Sequence, residues 1–527
     1  MTPRVYRSWR WLQRVLLVGL CALLAASAPV TAPRDVTVAS SVRKVADAIT
    51  ELDVERAQAL LETVDEGGAS VAYQRARLAV YVGDCDSAEA ILATLPESNE
   101  VMQLAELART CSRATAGALV VEDKQAGVWV RLQDAADAAL VPLLVEVSVR
   151  SREAMVRDLG IELPRPLRID LVRDLFSLAG VSGLPVEAAE TTGTVAVARW
   201  GRVTMLSPRA ARFGYPWQDT LAHEITHLAL TRGSRDFAPL WLQEGIAKRE
   251  ETRWRAARPF DDATDPHHIA KRALLEGESV GIDQIGPSIA LLPTPRAAAI
   301  AYAEVESFMD FWIEQQGREA FALLMADMKG MRTREVDLVM TSVSGYPLRY
   351  WIEAWKRHLL SQPEPEAEAE PLASAGGAVR QVRLGDLCWR RGHCSVADGY
   401  FEQAVQAGGD KPAVRQRAAL TALALEQNEL AEARLGNLQQ VSNLHGGWLG
   451  IQGRLLKERG QSEPAEAAFD LGVAIDPFGQ VAACEGYNQL ANAEVMRSEQ
   501  PRQWLTHNVT DPTRRKLCES ARSLVHD

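Results

Sequence analysis

Hydrophobic residues recur with a helical period near the start of the chain. Residues 36–115 contain two similar amphipathic segments, VERAQALLETV and CDSAEAILATL, in which Ala57 and Ala88 occupy equivalent positions. Apolar residues spaced every three or four positions line one face of a helix. The pattern therefore predicts a degenerate, repeat-like pair of helical hairpins over 36–115.

The hydrophobic period changes to two in the next part of the chain, which indicates β-strands. GALVVEDKQAGVWVRLQ alternates and turns at Gly127, and GTVAVARWGRVTMLSP turns near Trp200 and Gly201. Between these two hairpins we predict a helix over about 135–159 and a strand at LRIDLVRD.

Helical periodicity returns in the segment that contains LAHEITHLAL and continues to about residue 360. The first of these helices is predicted to end at Gly233, since glycine is common just after a helix. Residues 117–360 are thus predicted to form one α+β domain. The stretch SQPEPEAEAEPLASAGGA, at 361–378, has the composition of a linker.

A 34-residue period follows the linker and predicts a stack of helical hairpins. Ala397, Ala431 and Ala465 are spaced by 34 residues. Each has a small residue twelve positions before it and a large apolar residue four positions after it: Gly385 and Phe401, Ala419 and Leu435, Gly453 and Phe469. This period and residue pattern are typical of tetratricopeptide repeats, which bind protein partners. We assign 379–491 to such repeats and 492–527 to a C-terminal tail.

The N-terminus has the organisation of an export signal. MTPRVYRSWRWLQR carries four arginines and no acidic residue, and the 14 apolar or small residues VLLVGLCALLAASA follow. A membrane span requires about 20 such residues. We therefore predict a signal peptide over 1–28 and an exported protein, periplasmic or extracellular, with no stable membrane span after processing. An uncleaved N-terminal anchor is the alternative.

Charge and cysteine content add two constraints. The net charge of −11 and the absence of a basic cluster argue against nucleic acid as a partner. Apart from Cys21 the chain has six cysteines, an even number that favours disulfides in an exported protein. Pairing within each segment predicts the bonds Cys85–Cys111, Cys388–Cys394 and Cys484–Cys518, with buried free thiols as the alternative.

The sequence HEITH contains the elements of a metal site. His223 and His227 are four residues apart, which places both imidazoles on one face of a helix where they can bind one zinc ion. Glu224 lies about 100° around that helix, where it can reach a water molecule on the metal but cannot bind the metal itself. Zinc needs a third protein ligand and keeps one position open in catalytic sites.

AHEITHLAL followed by PLWLQEGIAK resembles the gluzincin peptidases of the MA clan, in particular the bacterial peptidase-MA-like domains. Members of that group are often exported and joined to tetratricopeptide repeats. The resemblance covers about residues 118–360. It implies a zincin-like α+β peptidase domain, here flanked by all-α helical repeats. It also implies that His223, His227 and Glu244 bind one Zn²⁺ and that Glu224 is the general base.

The resemblance extends to two further features. AIAYAEVESFMDFW is similar to a downstream helix of the family and makes Tyr302 the candidate for stabilising the oxyanion. His267 and His268 are the second choice, although their segment has the composition of a solvated helix start. The hairpin over 193–207 would lie at the edge of the sheet beside the cleft, where a peptide could bind as an added strand.

One departure from the family concerns the residue four positions after the third ligand. Many members have a carboxylate there that orients a histidine, whereas this chain has Lys248. Glu251 lies on a similar helical face and could replace it. The family's aminopeptidase signature Gly-x-Met-Glu-Asn is absent, so endopeptidase action is expected. The alternatives are a catalytically silent zinc-binding scaffold that acts through its repeats, and hydrolysis of a substrate other than a peptide.

Overall fold

The computed structural model describes residues 40–64, 68–210, 215–255, 265–363, 375–390, 393–407, 412–436 and 446–475. The protein is mostly helical and has one mixed five-stranded sheet. The predicted signal peptide, the pair Cys484 and Cys518, and the C-terminal tail lie outside these residues. No helix in the described ranges is long and apolar enough to cross a membrane.

Among the described residues, five helices precede the sheet, and the first four of them pack as the two predicted hairpins. Three begin at a side-chain cap, in which Asp53, Asp84 or Ser98 accepts a hydrogen bond from the backbone amide three residues later. The helices are α1 (Ser40–Thr50), α2 (Val54–Thr63), α3 (Ala69–Val82), α4 (Cys85–Leu92) and α5 (Asn99–Thr115).

The sheet has the order β1-β2-β3-β5-β4, in which the two central pairings are parallel and the outer pairings are antiparallel. Both predicted hairpins and their turns are present, with positive φ at Gly127, Trp200 and Gly201. The strands are β1 (Leu119–Asp123), β2 (Val128–Leu132), β3 (Leu167–Val172), β4 (Ala196–Arg199) and β5 (Arg202–Leu206).

The helix predicted over 135–159 consists of three parts. A 3₁₀ segment, Ala135–Leu140, leads into α6 (Val141–Ala154), and a π-helical turn, Met155–Leu159, ends it. Two short helices, α7 (Leu175–Ser182) and α8 (Val186–Thr192), connect β3 to β4.

In the described ranges between 215 and 363 there are seven helices, and the first of them, α9, packs against β4 and β5. The prediction that this helix ends at Gly233 is wrong, because it continues to Ser234 and Arg235 takes the left-handed conformation at φ 53°. A Cβ on Gly233 would lie 3.2 Å from Ile161 Cδ1, so glycine serves close packing there. The helices are α9 (Trp217–Ser234), α10 (Leu240–Glu250), α11 (Pro266–Glu276), α12 (Pro295–Gln316), α13 (Arg318–Met331), α14 (Val336–Ser344) and α15 (Leu348–Ser361).

Helices α1, α2 and α3 share one apolar core with the sheet and with α9. Glu51, which follows α1 and is 7% exposed, lies 2.6 Å from Arg235 Nε and 2.9 Å from Lys329 Nζ. These contacts tie the first hairpin to the end of α9 and to α13. Because burying a charge is costly unless it is paired, the contacts fix the relative positions of these elements.

A second buried ion cluster joins α3 to the sheet. Asp170 on β3 is 1% exposed and lies 2.6 Å from Arg131 Nε and 2.8 Å from Arg202 Nε. The same two guanidinium groups donate hydrogen bonds to the carbonyls of Gly83 and Val80 at the end of α3. Arginine suits this position because its planar group can pair with a carboxylate and carbonyls at once.

One of the predicted disulfides is confirmed and one is wrong. Cys85 and Cys111 are bonded, and they join the start of α4 to α5. No bond joins Cys388 to Cys394. The two side chains have different surroundings. Cys388 packs against the apolar cluster that contains Phe401, whereas Cys394 is the buried first residue of the next helix.

The described ranges of the C-terminal part contain six further helices, which pack as three hairpins. The first helix starts at Ala375, so the end of the predicted linker is helical. A Cβ on Gly385 would overlap the ring of Phe401, and one on Gly453 would overlap that of Phe469, which explains the small and large positions of the 34-residue period. The helices are α16 (Ala375–Arg390), α17 (Cys394–Gln406), α18 (Pro412–Ala424), α19 (Asn428–Leu435), α20 (Gly446–Glu458) and α21 (Ser462–Ile475).

Candidate metal centre

The two histidines of HEITH face each other on adjacent turns of α9. Nε2 of His223 lies 3.2 Å from Nε2 of His227, and the ring centroids are 5.0 Å apart. Both side chains are 15% exposed, so they are accessible from one side only. The helical spacing alone produces this pair, as the sequence predicted.

Glu244 brings a carboxylate from α10 to the same point. The chain reverses after α9 through left-handed residues at Arg235 and Asp236, and α10 then packs against both α9 and α12. Oε2 of Glu244 lies 3.6 Å from His223 Nε2, and Oε1 lies 3.9 Å from His227 Nε2. The described residues thus place one donor atom from each of the three side chains within 4.8 Å of one another.

These separations fit zinc. Tetrahedral zinc with bonds of about 2.0–2.2 Å places its ligand atoms about 3.3–3.6 Å apart. The observed values of 3.2, 3.6 and 3.9 Å lie close to that range. Two nitrogen donors and one carboxylate are also a common ligand set of catalytic zinc.

The electrostatics of the three side chains favour a cation at this point. Burial opposes a charge on His223, but its contacts with Glu244 and Glu251 prevail and raise the pKa of the imidazole to about 10. Burial likewise opposes a charge on Glu244, yet the two histidines lower the pKa of its carboxyl. The carboxylates around His223 therefore favour positive charge at this point, which a bound metal ion would also supply.

Glu224 lies on α9 beside the first histidine and is 9% exposed. Its charge acts on two tyrosines. The pKa of the Tyr215 hydroxyl is raised by burial and further by Glu224, and this hydroxyl donates a 2.5 Å hydrogen bond to the carbonyl of Leu206. Sequence reasoning missed Tyr215, because nothing in its local pattern sets it apart from a core tyrosine.

Tyr302 is half-buried on α12, and the charges of Glu244 and Glu224 act on its hydroxyl. Burial raises the pKa of its hydroxyl, and the charges of Glu244 and Glu224 raise it further. The hydroxyl therefore remains protonated at neutral pH and can donate a hydrogen bond. Lys248 Nζ lies 6.0 Å from the centroid of the Tyr302 ring, so α10 and α12 are close to each other at this point.

Glu251 contacts the outer nitrogen of a histidine of the cluster. Its Oε2 lies 3.3 Å from His223 Nδ1, the nitrogen that does not face Glu244. Its other oxygen, Oε1, accepts a 2.5 Å hydrogen bond from Lys248 Nζ. Burial opposes charge on Glu251, but these two partners prevail and lower its pKa.

His267 and His268 occupy the start of α11, with Asp265 as the capping residue. Nδ1 of His267 lies 2.9 Å from Ser307 Oγ, and Nε2 lies 3.9 Å from Asp310. These partners lie beyond Tyr302 on α12. The segment therefore has the features of a helix start, which is the interpretation that its composition favours.

The hairpin predicted beside the cleft forms β4 and β5. Strand β4 is the outer strand on its side of the sheet, and α9 packs against both strands. The helix that carries the cluster thus lies next to a terminal strand of the sheet.

No protein-family description, curated protein or solved structure matches this chain significantly.

Proposed function

We propose that this protein is an exported zinc-dependent peptidase of the gluzincin type. The observation that carries the proposal is the convergence of His223, His227 and Glu244 from two helices, with donor separations of 3.2–3.9 Å. The nearly buried carboxylate of Glu224 lies beside the first of these residues. Three ligands, one open position and an adjacent carboxylate together suit hydrolysis by activated water.

Each residue of the site has a role that its position supports. His223, His227 and Glu244 would hold one Zn²⁺. When bound, zinc makes a water molecule more acidic and polarises a carbonyl oxygen. Glu224 takes a proton from the attacking water and returns it to the leaving amine. Tyr302, whose hydroxyl stays protonated, donates a hydrogen bond to the oxygen on which negative charge develops.

The substrate that best suits this arrangement is an extended peptide or protein segment. A peptide that pairs with the outer strand β4 would lie alongside α9, and backbone pairing would give binding with little sequence preference. The mode does not require a free peptide terminus, so we infer endopeptidase action.

The proposal assigns the C-terminal hairpins to tetratricopeptide repeats that bind a protein partner. The matched contacts of Gly385 with Phe401 and of Gly453 with Phe469 support this assignment, since the repeat requires the same small-to-large packing in each unit. Export is supported by the disulfide between Cys85 and Cys111, because disulfides persist in oxidising compartments.

Metal analysis together with peptide cleavage tests the proposal. The purified wild type should contain one zinc ion per chain, and a chelator should abolish cleavage of an unbiased peptide library. Glu244→Ala should lose zinc, whereas Glu224→Gln should keep zinc and lose cleavage. A wild type without zinc contradicts the proposal. Zinc binding without any cleavage would instead favour the scaffold that acts through its repeats.

A further inference from the structure

Lys248 stands one helical turn after the third ligand Glu244, where a cation is unexpected beside a cation site. Its ammonium is held from two sides. Nζ lies 2.5 Å from Glu251 Oε1 and 6.0 Å from the centroid of the Tyr302 ring. The side chains of Lys248 and Glu251 are 28% and 25% exposed, so the pair is partly shielded from water.

The Glu251 carboxylate connects this lysine to a metal ligand. One of its oxygens contacts Lys248, and the other lies 3.3 Å from His223 Nδ1. A carboxylate that accepts the outer N–H of a histidine fixes the orientation of the ring and the nitrogen that binds the metal. The contacts thus run from Lys248 through Glu251 to His223.

We propose that Lys248 is a positioning residue that holds Glu251 against His223 and thereby stabilises zinc binding. This inference rests on the proposed zinc site. Glu251 is the residue directly after α10 and has a long side chain, which loses rotamer entropy when it is fixed. Lys248 lies three residues earlier on the same face and occupies one carboxylate oxygen, so the other stays directed at the imidazole.

Two physical effects of Lys248 on zinc affinity have opposite signs. As a positive charge near a bound cation, it weakens zinc binding by repulsion. As the anchor of Glu251, it strengthens zinc binding by fixing the ligand that Glu251 contacts. Removing the charge while keeping the length of the side chain therefore separates the two effects by the direction of the change.

The experiment is a competition titration of zinc against a chromophoric chelator. Lys248→Met should bind zinc about tenfold more weakly than the wild type, as is typical when the partner of a metal ligand is disturbed. Lys248→Arg, which can still contact Glu251, should retain most of the affinity. Lys356→Met is the matched control, because Lys356 forms an i,i+3 pair with Glu353 on a different helix, α15. That control should bind zinc as the wild type does.

A double-mutant cycle tests whether Lys248 acts through Glu251. Glu251→Gln should also weaken zinc binding, and adding Lys248→Met to it should cause no further loss, because the two residues act in series. Thermal unfolding of each variant verifies that it is folded before its affinity is compared.

The outcomes separate this inference from the proposed function. Unchanged or tighter zinc binding by folded Lys248→Met overturns the positioning role while the zinc site of the wild type stands. Additive losses in the double variant overturn the action through Glu251. A wild type that binds no zinc overturns both proposals.

Discussion

Gly245 lies so close to Val305 that no other residue fits at this position. A Cβ on Gly245 would be 2.5 Å from the carbonyl oxygen of Val305 and 2.8 Å from Met309 Cγ. The glycine lets α10 approach the backbone of α12 directly beside Glu244. That approach places the third candidate ligand and Tyr302 on facing helices of one site.

Gly245→Ala should therefore disturb both stability and metal binding. Forcing a methyl group into this contact should lower the free energy of unfolding by about 1–3 kcal/mol, the usual cost of overpacking. It should also weaken zinc binding, since α10 must move away. Urea unfolding and zinc titration measure the two effects. Gly330→Ala on α13 is the control, because a Cβ there meets nothing within 4 Å and should stabilise the helix slightly. Equal behaviour of the two variants would contradict the close-approach role.

Tyr302→Phe should lower kcat and leave zinc binding intact. The hydroxyl lies in the field of Glu244 and Glu224 and stays protonated, so it can stabilise negative charge that appears during the reaction. Loss of one such donor reduces kcat by roughly 100-fold. Steady-state kinetics and zinc titration provide the measurement. Tyr346→Phe, at an exposed tyrosine stacked on Tyr350, is the control. A kcat equal to that of the wild type would remove Tyr302 from the site.

The disulfide between Cys85 and Cys111 should contribute strongly to stability. The two cysteines are 26 residues apart, and restricting a loop of that length in the unfolded chain is worth about 3–4 kcal/mol. The variant with serine at both positions should be less stable than the oxidised wild type by this amount, and a reductant should lower its stability by less than it lowers that of the wild type. Urea unfolding with and without reductant measures it. Cys388→Ser, at a thiol without a disulfide, should keep the full response to reductant. A wild type that reductant leaves unchanged would contradict this prediction.

Glu250 should make stability depend on pH in a defined window. Burial raises the pKa of its carboxyl from 4.5 to about 7, and its Oε2 is buried without a hydrogen-bond partner in the described residues. The folded state therefore keeps a proton that the unfolded chain releases. The resulting stabilisation is full below pH 4.5 and is lost as the pH rises to about 7.

Glu250→Gln removes this dependence because an amide is neutral at every pH in the window. The stability of the variant relative to the wild type should increase by about 2 kcal/mol between pH 5 and pH 8. Urea unfolding of both proteins at the two pH values measures the change. A difference that stays constant, or that shrinks towards pH 8, would show that Glu250 is charged in the folded protein at low pH.

Local sequence patterns were sufficient for the elements whose spacing is periodic. Alternation and turn residues placed both hairpins with their turns at Gly127 and Gly201. The helical spacing of His223 and His227 placed their imidazoles together without any tertiary information. The 34-residue period predicted the close contact of Gly385 with Phe401, because the two helices of each repeat unit pack through one small and one large residue.

Predictions were wrong where the outcome depends on packing against another helix or strand. Glycine is common just after a helix, but here α9 continues past Gly233 to Ser234. The glycine is required instead because the side chains of Ile161 and Met325 pack where its Cβ would lie. The bond predicted between Cys388 and Cys394 is absent because proximity in sequence does not by itself direct two side chains towards each other. In both cases packing partners far along the chain decided the outcome.

The sequence by itself determined the helices, the hairpins and the pair of imidazoles, because each follows from dihedral preferences and periods within about 20 residues. Only the tertiary structure decided that Glu244 meets that pair, that Gly245 permits it, and that Lys248 and Glu251 contact each other and His223. It also joined the N-terminal hairpins to the sheet through the buried cluster around Asp170. These relationships depend on the paths of separate helices through a shared core, and no local period encodes them.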